Sequence, residues 1–162
     1  MYLKRTLNDK LTTFKSLRFP YVAKSNTLFR HKVVVGIGGN IGDVKRRFEH
    51  LFCDIKKQKR VALLETSLIL KNPPFGFKDQ DDFFNSIIVF KTSMTAHVFL
   101  NYLLRLEKKF GRKRSFANAP RTLDLDIIFF DNRVINTEKL TIPHPFWHTR
   151  SSVVIPLSGM KL

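Results

Sequence analysis

The chain has 162 residues, 43% hydrophobic and 26% charged, which excludes a disordered tail and fits one compact domain with a sizeable core. Twenty-nine lysines and arginines against 13 acids give a formal charge of +16, pointing to a polyanionic partner: nucleic acid, nucleotide phosphates or an acidic surface. The single Cys53 excludes an internal disulfide, and neither a run of ~20 apolar residues nor an apolar signal-type core in residues 1–31 is found, so a soluble, cytoplasmic protein is expected.

Residues 1–31 read as a basic N-terminal extension. They hold seven basic residues and one acid, are interrupted by Pro20, and predict a loosely packed arm with a short helix over Asp9–Leu17. A solvated arm without a specific role is the bland alternative. From residue 32 the pattern sharpens. Val33-Val34-Val35-Gly36-Ile37 predicts a buried strand, ended by Gly38-Gly39-Asn40. Asp43 opens a predicted helix whose apolar residues Val44, Phe48, Leu51, Phe52 and Ile55 recur at three and four. Val61–Leu70 predicts a second strand, Lys71–Asp82 a loop and Phe83–Lys91 a third strand. Thr95 caps a second helix with Phe99, Leu103, Leu106 and Phe110 on one face. A basic loop, Gly111–Arg121, leads to a fourth strand over Leu123–Asp131. The remainder mixes proline-containing loops with a short strand at Val153–Ile155. The order β-α-β-β-α-β predicts an α+β, ferredoxin-like sandwich, an antiparallel sheet with helices packed on it. That fold hosts unrelated activities, so function is argued from sites.

Four constellations carry chemistry. In Arg121-Thr122-Leu123-Asp124-Leu125-Asp126, strand alternation turns Asp124 and Asp126 to one face and the leucines to the other. Paired carboxylates beside arginines suit Mg²⁺ and a nucleotide; a pair of surface acids is the bland reading. Arg112, Lys113 and Arg114 lie in a loop able to close over a polyphosphate, and the same run fits RNA. Asn72-Pro73-Pro74-Phe75-Gly76 with Phe83-Phe84-Asn85 offers aromatic walls and an amide suited to a flat heterocycle, although most of the 16 phenylalanines must be core. His144, between Pro143 and Pro145, cannot form a helical zinc pair with His148; beside Arg150 it suits a phosphate. No P-loop and no complete G-x-G-x-x-G is present.

In this order the blocks Gly38-Gly39-Asn40, Pro73-Pro74-Phe75-Gly76, Phe83-Phe84-Asn85, Pro120-Arg121-Thr122-Leu123-Asp124-Leu125-Asp126 and Pro143-His144 resemble the 6-hydroxymethyl-7,8-dihydropterin pyrophosphokinase family of folate biosynthesis. The resemblance covers about Val33–Leu157 and makes residues 32–162 the pyrophosphokinase domain. It implies transfer of pyrophosphate from ATP to the hydroxymethyl group of the pterin, with AMP released. Asp124 and Asp126 would hold two Mg²⁺. Arg112 and Arg121 would neutralise the transferred group, with Arg114 assisting. His144 and Arg150 would grip phosphates, and Glu107, Lys139 and Thr141 would contact ATP or its surroundings. Asn85 would read the pterin edge, Phe83 would stack on it, and Asn72, Pro73 and Phe75 would shape the slot. Ala117-Asn118-Ala119 stands where the family carries Arg-Trp-Gly, with Phe116 a candidate replacement for that tryptophan, and Ser152 stands where a second stacking aromatic is common. The resemblance implies a monomer with no nucleic-acid or membrane partner; the rival class is a basic ferredoxin-like RNA-binding module, whose aromatic strand motif is absent.

Overall fold

The structure, a computed structural model, describes residues 1–24 and 27–162. Among the described residues ten strands are found in chain order: β1 Leu3–Thr6, β2 Thr12–Lys15, β3 Tyr21–Val22, β4 His31–Gly39, β5 Val61–Thr66, β6 Ile69–Asn72, β7 Phe83–Thr92, β8 Asp124–Phe130, β9 Ile135–Asn136 and β10 Thr141–Ile142. Three helices accompany them: α1 Val44–Lys57, α2 Ala96–Lys109 and α3 Ser151–Ser158. The main sheet runs β1-β2-β6-β7-β4-β8, every neighbouring pair antiparallel, with β5 also on β7 and β3 on β5. Its centre, with α1 and α2, is the ferredoxin-like arrangement.

Alternation along the strands sorts the side chains into two layers. Val33, Val35 and Ile37 of β4, Ile88 and Phe90 of β7, and Leu125 and Ile127 of β8 meet α1 and α2. Asp43 caps α1 by accepting the Arg46 N–H, and Thr95 caps α2 by accepting that of Val98. On the opposite face Val34, Ile87, Val89 and Ile128 pack against Val153 of α3. The sheet is thus covered on both faces.

Three expectations are corrected. The helix over Asp9–Leu17 is absent: β1 and β2 form a hairpin whose second strand pairs with β6. Phe14 and Phe19 sit in the main core, Phe19 without exposure and edge-on to Phe52. Burying each such ring contributes about 1.5–3 kcal/mol, so apolar contact decides against a loose arm. The strand over Val61–Leu70 is broken in two. The Ser67 hydroxyl accepts the Ile87 N–H at 2.8 Å, replacing a ladder bond and letting β5 and β6 occupy successive parts of β7. Val153–Ile155 is helical, because Val153 and Pro156 bury against the sheet and outweigh β-branched propensity.

Candidate active site

The site grows from cross-strand rows. Asn85 of β7, Gly38 of β4 and Asp124 of β8 stand side by side; two positions on, Ile87, Gly36 and Asp126 do the same. With strands ~4.8 Å apart, Asn85 and Asp124 face the same opening about 10 Å from each other. Glycine at 38 leaves room for the Asn85 amide: a Cβ there would lie 2.5 Å from Asn85 Oδ1 and push it aside. Gly39 has a similar constraint, since its Cβ would meet the Thr122 carbonyl at 2.5 Å.

Asp124 is held between two guanidiniums. Arg112 donates to its Oδ1 and Arg121 to its Oδ2, each at 3.1 Å. Arg112 also donates to the Leu123 carbonyl at 3.0 Å. Beneath them lies the buried Glu107. It accepts the Leu125 N–H at 2.8 Å and an Arg114 N–H at 2.8 Å, with Arg112 at 3.8 Å. Glu107 therefore orients two arginines and the fourth strand at once, and faces neither cavity. Burial raises its carboxyl above the ordinary range, opposed by the Leu125 hydrogen bond.

Asp126 differs. Among the described residues no guanidinium or N–H bonds its carboxyl. Burial first, then the charges of Asp124 and Glu107, push it up to about 7, against the pull of Arg150 and Arg121. A carboxylate with no hydrogen-bonded guanidinium, beside a second carboxylate, offers oxygen ligands to a hard divalent cation. Among the described residues no group of three or more His, Cys, Asp or Glu comes together.

Two cavities meet at these aspartates. The first is lined by Gly36, Gly38, Asn72, Phe75, Phe83, Asn85, His144 and Ser152 among others. The Asn85 amide donates to Asn72 Oδ1 at 2.6 Å, and Asn72 in turn donates to the Pro73 carbonyl at 2.9 Å. Pro73 itself lines no cavity; it anchors Asn72. Phe83 is buried under the Arg121 guanidinium, 5.2 Å from its ring centre, whereas the exposed Phe75 lies 5.4 Å from that of Arg150. Burial and the Arg150 charge lower the pKa of His144. The second cavity is lined by Arg112, Lys113, Arg114, Phe116, Arg121 and Arg150 among others. Both share Asn118, Arg121, Asp124, Asp126 and Arg150.

Lys139 and Thr141 are exposed, Thr141 on β10, and line neither cavity. Phe116 packs edge-on against Phe77 at 5.2 Å and borders the second cavity, not the first.

Sequence reasoning missed the residues that tie the loops together. Gln80 accepts from Asn40 at 2.8 Å and donates to the carbonyls of Phe77 and Asn118 at 2.7 and 2.8 Å. Asn40 accepts the Arg121 N–H at 2.9 Å. Asn118, at φ +58°, takes a left-handed conformation that asparagine tolerates; an asparagine between two alanines in a basic loop was the available signal. Gln80 carried none.

The sequence matches the family described as 7,8-dihydro-6-hydroxymethylpterin-pyrophosphokinase over residues 34–161. It is 41% identical over 143 residues to the 2-amino-4-hydroxy-6-hydroxymethyldihydropteridine pyrophosphokinase of Campylobacter jejuni, covering 88% of this chain and 91% of that protein. Because residues 32–162 number only 131, an alignment that covers 88% of this chain over 143 residues takes in about a dozen residues of the N-terminal segment. The Helicobacter pylori enzyme of the same name is 37% identical over 146 residues, 89% of this chain and 90% of that one. A folic acid synthesis protein of Pneumocystis carinii is 34% identical over 139 residues, 85% of this chain but 18% of that longer protein. The chain belongs to the 7,8-dihydro-6-hydroxymethylpterin-pyrophosphokinase family.

Proposed function

We propose that the protein transfers a pyrophosphoryl group from ATP to the hydroxymethyl oxygen of 6-hydroxymethyl-7,8-dihydropterin. A bond forms between that oxygen and Pβ as the bond from Pβ to the α,β-bridging oxygen breaks. AMP leaves with the bridging oxygen, and the hydroxyl proton passes to solvent. The observation that carries this reading is the meeting of two unlike cavities at Asp124 and Asp126. One has aromatic and amide walls suited to a pterin; the other is lined by arginines suited to a triphosphate.

The pterin would lie on Phe83, with Asn85 reading its edge and Asn72, Pro73 and Phe75 holding the wall. Arg112, Arg114, Arg121 and Arg150, with His144, would bind the phosphates. Arg121 and Arg112, held beside Asp124, would supply positive charge to the transferred group. Asp124 and Asp126 would hold two Mg²⁺. When bound, these ions supply charge neutralisation and alignment of the phosphate oxygens. Lys139 and Thr141 belong to this reading on the resemblance alone. A monomer is part of the same reading.

The test is a product assay with ATP, Mg²⁺ and the pterin that separates AMP from ADP. Pterin-dependent AMP release equal to pyrophosphorylated pterin is expected. ADP as the nucleotide product, or no turnover by a folded protein, would refute the assignment.

A further inference from the structure

Outside the two cavities, the hairpin of β1 and β2 is tied to the sheet edge beside the site. It does more than lengthen the sheet. Thr12, Thr13 and Phe14 pair with Lys71, Leu70 and Ile69, covering the outer edge of β6. β6 has only four residues, and its last is Asn72, the residue that bonds Asn85. One cross-strand row runs Thr13–Leu70–Asn85–Gly38–Asp124, from the hairpin to the first aspartate.

On the other face, Phe14 is buried and its ring lies 5.8 Å from that of Phe84, between Phe83 and Asn85 in sequence. Lys45 closes this contact. Its ammonium stands 3.9 Å from the ring centre of Phe14, 4.8 Å from that of Tyr2 and 5.5 Å from that of Phe84. Lys45 belongs to the first turn of α1, which follows the Gly39-Asn40 turn bound to Arg121.

We propose that this hairpin is a positioning element for the acceptor end of the site, acting through Asn72. Covering the edge of β6 and clamping Phe84 fixes Asn72, and Asn72 fixes the rotation of the Asn85 amide. A four-residue edge strand without that cover would fray at its end, where Asn72 stands. The inference rests on the pyrophosphokinase reading, in which Asn85 meets the pterin.

The experiment uses full-length Lys45→Met, which keeps the stem and removes the cation, Lys45→Arg, which restores a cation, and Phe14→Leu. Steady-state kinetics with pterin and ATP varied separately are combined with amide hydrogen exchange on the segment Ile69–Asn72, which needs no substrate. Loss of an Asn72-held amide corresponds to a rise in pterin KM of roughly three- to tenfold. ATP KM and kcat are expected to stay within about twofold, Lys45→Arg to restore the pterin KM, and exchange at β6 to quicken in Lys45→Met. An unchanged pterin KM and unchanged exchange in folded Lys45→Met and Phe14→Leu would overturn the proposal. So would an equal rise in ATP KM, which marks general loosening. Quickened exchange at β6 in a protein whose wild type lacks pterin-dependent turnover would instead refute the functional reading and leave the hairpin's hold on Asn72 standing.

Discussion

Replacing Asp126 by asparagine tests the electrostatics of the site directly. The carboxyl is pushed up to about 7 from an ordinary 3.8, chiefly by burial and by Asp124. A folded-state pKa above the unfolded value means the native protein holds the proton more tightly. The stability Asp126 contributes is therefore present below about pH 4 and lost as pH rises through about 7. At 1.36 kcal/mol per pKa unit the ceiling is about 4 kcal/mol. Solvent at the open mouth and relaxation reduce this to the order of 1–3 kcal/mol. The amide is isosteric and neutral, so Asp126→Asn should melt roughly 2–10 °C above wild type at pH 8 and match it near pH 4. Mg²⁺ should narrow the gap by stabilising wild type alone. Thermal unfolding of the ligand-free proteins from pH 4 to 8 reads all of this. A variant no more stable than wild type at pH 8, or a gap independent of pH, would refute the account of an uncompensated carboxylate.

Gly38→Ala places a Cβ 2.5 Å from Asn85 Oδ1, so the amide must swing away; pterin KM should rise roughly five- to tenfold with ATP KM unchanged, and an unchanged pterin KM would contradict the site geometry. Glu107→Gln keeps an acceptor for Leu125 but drops the charge facing Arg112 and Arg114; kcat should fall by at least about tenfold while the melting temperature moves by a few degrees at most, a split that stopped-flow kinetics and calorimetry would check. Phe19→Ala removes a fully buried ring and should cost about 3–5 kcal/mol, a drop of roughly 6–20 °C by calorimetry; a drop under about 2 °C would return the N-terminal segment to a peripheral arm.

Much of the central fold was legible because its signals are local. The three- and four-residue spacing of α1, the caps Asp43 and Thr95 and the alternation of Leu123, Asp124, Leu125 and Asp126 each follow from a few neighbouring residues. The N-terminal segment was not legible in that way. Thr12-Thr13-Phe14 becomes a strand because the edge of β6 accepts it, and Phe19 is core because Phe48 and Phe52 of α1 receive it. Both partners lie more than 25 residues away in sequence, so charge dominated the local pattern. In α3 the β-branched run and Pro156 argued for extended backbone, and only the opposite face of the sheet makes a helix favourable there. For the site, the residue types that can bind phosphate or metal were readable. Which arginine meets which oxygen, and that Glu107 lies beneath rather than beside the ligand cavities, depended on packing.

The fourth strand shows how one irregularity serves both layers. Along β8, Leu125 and Ile127 enter the core while Asp124, Asp126 and Ile128 face the site side. Strict alternation would then send Phe129 into the core and Phe130 to the site side. Instead the register on β4 shifts, with Val35 opposite Ile127 and Val34 opposite Phe129, leaving Ile128 as the extra residue of a bulge. Past it the faces exchange: Phe130 fills the core and Phe129 meets Trp147 edge-on at 5.1 Å. The Ile128 carbonyl, opposite no partner on β4, accepts the His144 N–H at 3.0 Å. That bond brings the chain after β10 back to the sheet and sets His144 at the wall of the first cavity. A single additional residue thus closes the core beyond the two aspartates and fixes a histidine beside them. It leaves no trace in composition or periodicity, because a bulge is defined by the partner strand.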